Sequence, residues 1–251
     1  MALYGEGGFF TGGSGAGRRA DFLTSVEVGP LFGAVIAAAL DAEWERLGRP
    51  DPFVVIEGGA GRGTLARAVL GTPPACAPAL RYVCVERSAV LRAGADGLLP
   101  TEPAANVFGA VLGGDLDEER VVPGTGPVVS VLDDLPLVPV VGVVLANELL
   151  DNLPFRLVER ADGAWLDVLV ALSSDGSLEE LLIEAPADVA EEATRLAPAC
   201  RIGARIPLQH QACAWLRRAV ETLVRGRIVL IDSADTSESL AGRPWTQWVR
   251  T

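Results

Sequence analysis

Apolar positions along the chain follow two rhythms. Short, β-branched runs bounded by Gly, Pro or Asp predict buried parallel strands: FVVIE (53–57), ALRYVCVE (79–86), GPVVSVLDDL (126–135), VVGVVLANELL (140–150) and GRIVLID (226–232). Between them lie helical patterns. VGPLFGAVIAAALDAEWERL (28–47) has Pro30 near its start and Gly48 just past its end, and TLARAVL (64–70), SAVLRAGADGLL (88–99) and QACAWLRRAVETLV (211–224) follow. Strands alternating with helices imply an α/β, doubly wound sheet, read here as one domain over residues 1–251. The rhythm changes from Phe155 to Pro186, where residues alternate around the turn signals ADG and SDG; this predicts an antiparallel β-rich insertion, bounded at 155–208. The first 22 residues are rich in glycine, and Phe9 and Phe10 favour an ordered lid over a disordered tail.

Composition narrows the partners. The chain has 251 residues, 49% of them hydrophobic, enough for a substantial core. A net charge of −12 and a pI of about 4.6 argue against non-specific nucleic-acid binding, which draws its affinity from basic surfaces. All 21 basic residues are arginines, which excludes a Schiff-base lysine and the lysine of a P-loop. Cys76, Cys84, Cys200 and Cys213 lack CxxC spacing and, with His210 the single histidine, supply no standard zinc site; they are expected to be buried structural thiols. No apolar run of about 18 residues occurs and the N-terminus lacks signal-peptide character, so no membrane contact and a cytoplasmic location are expected. The sequence leaves the oligomeric state open.

The stretch VVIEGGAGRGTLARAVL (54–70) carries the candidate chemistry. A Walker A loop would need lysine where Thr64 stands, and a GxGxxG dinucleotide fingerprint would need glycine at the same place. GxGxG, formed by Gly59, Gly61 and Gly63, remains. Glu57 at the strand end disfavours a pyrophosphate and suits the ammonium and sulfonium of S-adenosylmethionine (SAM), while Glu86, ending the next strand, is placed for ribose hydroxyls. An NAD-dependent oxidoreductase is the weaker alternative. In LANELLDNLPF (145–155), Asn147, Glu148, Asp151 and Asn152 crowd the carboxyl edge of a buried strand, where open α/β sheets bind ligands; two acids there suit a cationic acceptor such as a guanidinium.

GFFT (8–11), DFLTSVEVGPLFG (21–33), EGGAGRGTLA (57–66), LANELLDNLPFRLV (145–158) and GRIVLID (226–232) together resemble the MidA family of SAM-dependent methyltransferases. Mitochondrial members of that family are complex I assembly factors that methylate arginine on a protein subunit. The resemblance implies a class I methyltransferase, Rossmann-like sheet with a β-rich insertion, SAM as cofactor, no metal and a protein substrate. It implies that Glu57, Gly58, Gly59, Gly61 and Gly63 hold the amino-acid end of SAM and Glu86 its ribose. Asp21, Phe22, Thr24 and Ser25 would close over the cofactor, Asp115 would lie near the adenine, and Asn147, Glu148 and Asp151 would line the catalytic acceptor side. Three departures from the family pattern stand out: Val26 replaces a proline, Ser233 replaces an aromatic, and the sequence ends at RPWTQWVRT where the family continues. They leave open a sheet without its last strands and, as an alternative function, a SAM-binding assembly protein without turnover.

Overall fold

Five parallel strands carry the first part of the molecule in the order β3-β2-β1-β4-β9: β1 is Phe53–Gly58, β2 Leu80–Val85, β3 Val128–Leu132, β4 Val140–Asn147 and β9 Leu223–Ile231. The chain starts in the middle of the sheet, steps outward to β3, then returns across β1 to β4. The strand order therefore reverses between β1 and β4, and the carboxyl ends of these two strands flank the crevice where such sheets bind ligands. The computed structural model describes Gly8, residues 30–109 and residues 123–249.

Alternation along the strands splits the core. Phe53 and Val55 of β1, with Tyr82 and Cys84 of β2, pack against Ile36, Ala37 and Leu40 of helix α1 (Pro30–Arg46) and Leu65, Ala66 and Val69 of helix α2 (Thr64–Leu70). Val54 and Ile56 face the opposite way, onto Val107 and Phe108 of the short helix α4 (Ala105–Phe108). Helix α3 (Ala89–Asp96) starts at Ser88, whose side chain caps the Leu91 amide. Every residue of β1 and β2 is buried, as expected for strands covered on both faces.

Two glycines set the spacing of the sheet's centre. Val54, Gly142 and Gly226 lie side by side on β1, β4 and β9. A Cβ on Gly142 would stand 1.8 Å from the Val54 carbonyl oxygen, and one on Gly226 would stand 1.8 Å from the Gly142 carbonyl oxygen. No side chain fits at either place.

Residues 153–214 and 233–251 form a second compact unit. Its sheet is antiparallel, in the order β7-β6-β5-β8, with β5 Arg156–Arg160, β6 Trp165–Leu172, β7 Leu178–Glu184 and β8 Arg205–Leu208. Val158, Trp165, Ile206 and Leu208 on these strands share a core with Val189 and Ala193 of helix α5 (Ala187–Leu196). Arg205, almost wholly buried, reaches Glu159 and Glu180, each at 2.7 Å, and lies 4.0 Å from the ring centre of Trp245. Helix α6 (His210–Thr222) leads into β9, and helix α7 (Ser237–Gly242) follows it.

The strands expected at 126–135 and 140–150 are shorter than their apolar runs. Cis Pro127 and the acidic pair Asp133–Asp134 bound the first, and a 3-10 turn over Leu150–Asn152 follows the second. Helices α4, α5 and α7 were not expected. Of the four thiols, Cys76 and Cys84 are buried, Cys200 is half-buried and Cys213 is exposed, so burial does not hold for the whole set; all four are free. No helix among the described residues is long and apolar enough to cross a membrane.

The glycine spacing yields a prediction. Gly142→Ala must part β1 from β4, at a cost of about 4 kcal/mol or more, the range of severe overpacking at a buried backbone contact. Urea denaturation should show a large drop in midpoint or no cooperative transition; a wild-type midpoint would contradict the packing described.

Candidate active site

The loop after β1 bends because three of its residues take left-handed backbone angles: Gly59 (φ 70), Gly61 (φ 55) and Gly63 (φ 75). Their surroundings differ. A Cβ on Gly59 would press on Leu149, 2.9 Å away, and one on Gly63 on Leu99, 2.6 Å away, whereas a Cβ on Gly61 would meet nothing within 4 Å among the described residues. Gly61 thus turns its open side to free space, leaving room for a ligand against bare backbone. The Trp215 indole packs on Gly58, where a Cβ would come within 2.5 Å.

Two carboxyl groups brace this loop. Glu86, past the end of β2, accepts the Gly61 amide at 3.0 Å on one oxygen and the Ser88 amide at 2.7 Å on the other. Each oxygen keeps a lone pair for a further donor such as a sugar hydroxyl. Glu57 is buried instead on the side covered by α1 and α2, where its carboxyl accepts the Tyr82 hydroxyl at 2.8 Å and the Ala66 amide. Burial raises its pKa from 4.5 to about 7, against the lowering effect of those hydrogen bonds and with a further push from Glu86. Burial thus favours the protonated carboxyl, a weaker fixed charge beside the loop than the sequence suggested, and the visible task of Glu57 is to tie β1 to β2 and α2.

The residues expected on the acceptor side gather at the next strand. Gly58 and Ala146 lie abreast on β1 and β4, so Asn147 and Glu148 emerge directly beside the glycine loop. Glu148 adopts a left-handed conformation (φ 53) and donates its amide to the Ile231 carbonyl at 2.8 Å. A non-glycine residue held at positive φ is uncommon and is often met at functional sites. Leu149 then covers Gly58 and Gly59, and the 3-10 turn presents Asp151. Asn152 steadies that turn, donating its side-chain amide to the Glu148 carbonyl at 2.9 Å and to Asp151 at 2.8 Å. Carboxylate oxygens of Glu148, Asp151 and Asp232 all lie within 4.8 Å of one another. Desolvation, then Asp151 and Asp232, raises the Glu148 pKa; desolvation of its carboxyl, then Asp232, raises that of Asp151.

A profile of S-adenosyl-L-methionine-dependent methyltransferases matches residues 35–244. This chain belongs to that family. Among curated relatives, the mitochondrial protein arginine methyltransferase NDUFAF7 homolog of Drosophila melanogaster is 32% identical over 185 residues, which cover 69% of this chain and 40% of the fly protein. The Mus musculus protein arginine methyltransferase NDUFAF7 is 28% identical over 188 residues, covering 70% of this chain and 41% of its own. The chain thus spans about two fifths of the length of these relatives. A Burkholderia thailandensis crystal structure bound to S-adenosyl-homocysteine superposes with a TM-score of 0.68 at 29% identity, over 93% of this chain and 56% of that one. A native structure from the same organism gives 0.68 at 28% identity, over 98% and 58%. The parallel sheet and its strand order are those of a class I methyltransferase fold.

The structure of this methyltransferase-family member brings together Gly58, Gly59, Gly61, Gly63 and Glu86 on the β1–β2 side, and Asn147, Glu148 and Asp151 on the β4 side. Asp21, Phe22, Thr24, Ser25 and Asp115 lie outside the described residues. Sequence reasoning missed three members: Leu149, whose apolar side chain read as ordinary core; Trp215, far away in the sequence; and Asp232, whose place at the end of GRIVLID was the available signal.

The Glu57 environment sets a pH dependence. Its pKa is raised on folding, so its contribution to stability is full below about pH 4.5 and is lost as pH rises through about 7. Glu57→Gln cannot ionise. The stability difference between wild type and variant, measured by urea denaturation, should shift in favour of the variant across that window; a constant difference would contradict the burial described.

Proposed function

We propose that this chain binds S-adenosyl-L-methionine at the Gly58–Gly63 loop and transfers its methyl group to a guanidinium nitrogen of an arginine on a protein. One observation carries the reading: the bare backbone at Gly61 and the Glu148–Asp151 carboxylates sit on adjacent strand ends and are joined through Leu149 packed on Gly59. The names of the fly and mouse relatives, both protein arginine methyltransferases, support the choice of acceptor.

The residues present suit such a cofactor. The open space at Gly61 admits a ligand against the backbone, and Glu86 has lone pairs left for ribose hydroxyls. The cofactor's sulfonium would supply the methyl group in an in-line displacement and leave as a thioether. The residues on the β4 side do the rest. Two carboxylates can grip a planar guanidinium through paired N–H donors and hold one nitrogen in line for attack. Methylation of that nitrogen releases a proton, and Glu148 and Asp151, with pKa values raised by desolvation and by neighbouring carboxylates, are suited to accept it.

Calorimetry with SAM, S-adenosyl-homocysteine and NAD tests the first half, and mass spectrometry of methylarginine in arginine-bearing peptides the second. Wild type should bind the two sulfur compounds and not NAD; NAD binding without SAM binding would overturn the reading. Glu148→Gln and Asp151→Asn should bind SAM normally and lose transfer by about 10²-fold or more, the usual scale for a positioned acid–base group. A protein that binds SAM yet methylates no arginine would instead be a SAM-dependent binding or assembly protein.

A further inference from the structure

Asp232 follows β9, one residue beyond the Asn147–Ile231 pair that closes the β4–β9 register. Its Oδ2 accepts the Leu150 amide at 2.7 Å, and one residue earlier the Ile231 carbonyl accepts the Glu148 amide at 2.8 Å. These two bonds pin the backbone on both sides of Leu149, the residue seated on Gly58 and Gly59. The end of β9 therefore fixes both the turn that presents Asp151 and the fit of that turn on the glycine loop. The other oxygen, Oδ1, is enclosed and has no hydrogen-bond partner among the described residues, and the same holds for Asn147 Oδ1 on the neighbouring strand. Two enclosed acceptors without donors, one at the end of each of two neighbouring strands, are costly to leave so and are expected to have a donor at some stage of function. A guanidinium carries five N–H donors and no acceptor, which is the chemistry this pair lacks.

We propose that Asp232 positions the methyl acceptor: one of its oxygens holds the Leu150–Asn152 turn in place, and the other, beside the Glu148 and Asp151 carboxylates, takes N–H groups of the incoming guanidinium. The assignment rests on the arginine acceptor proposed above. It gives the site a third carboxylate from a different strand, so that the acceptor is gripped by the ends of β4 and β9 together. The negative charge of Asp232 also contributes to the raised pKa values of Glu148 and Asp151, which ties it electrostatically to both.

The test compares wild type, Asp232→Asn and Asp232→Ala, each with S-adenosyl-homocysteine, by calorimetry with a blocked arginine peptide and a blocked lysine peptide, and by carboxyl NMR titration. Asp232→Asn can still accept the Leu150 amide. It should bind S-adenosyl-homocysteine within about twofold of wild type and the arginine peptide about tenfold or more weaker, with KM affected more than kcat and with lowered Glu148 and Asp151 pKa values. Asp232→Ala also frees the turn and should lose kcat. Wild-type affinity of Asp232→Asn for the arginine peptide, or equal binding of lysine and arginine peptides by wild type, would overturn the inference. So would wild type that holds S-adenosyl-homocysteine but not the arginine peptide. Asp232-dependent arginine binding without methyl transfer would refute the proposed enzyme and leave this assignment standing.

Discussion

The contact between Leu149 and the bare α-carbons of Gly58 and Gly59 is the constraint on which the site depends. Glycine at 59 permits the left-handed turn, and its missing side chain is the space Leu149 occupies. Because Leu149 lies between Glu148 and the turn bearing Asp151, the cofactor-side loop and the acceptor-side loop are one packed object. Neither can shift by a fraction of an ångström without displacing the other, since a packed interior offers no slack. Methyl transfer demands this of a protein: its contribution is mostly to hold two partners at a set distance and angle.

Electrostatics on the two sides follow different rules. On the cofactor side both acids brace the loop, Glu57 through Tyr82 and Ala66, Glu86 through two amides that leave each of its oxygens a lone pair. On the proposed acceptor side three carboxylates crowd together, with no ion-pair partner among the described residues. Like charges this close raise one another's proton affinity and favour the arrival of a cation. The asymmetry matches the two ligands proposed, one held largely by backbone and packing, the other by charge.

The sequence makes the parallel sheet readable because each strand is a short apolar run ended by Gly, Pro or an acid, and the glycine loop because its three positions need positive φ. The acids of LANELLDNLP were likewise legible as a crowd at a strand end. The sign of Glu57's burial was not, since its charge state follows from Tyr82 and from the helix packed over it. Asp232 was hidden for a related reason: it joins Glu148 only through the β4–β9 pairing across some eighty intervening residues, and register is not written locally. Helix α5 went unread because only Val189 and Ala193 of it are fully buried, too few apolar residues to stand out against the strands before it.

At Gly142 and Gly226 the carbonyls of Val54 and Gly142, on the neighbouring strands β1 and β4, stand where side chains would otherwise be. The lateral separation of β1, β4 and β9 is therefore a property of peptide geometry and not of rotamers. Substitutions elsewhere in the core can change how the layers fill, and with them the stability of the whole. The span from the glycine loop to the turn bearing Asp151 is inherited from the backbone, so it is insulated from sequence drift in the interior that supports it.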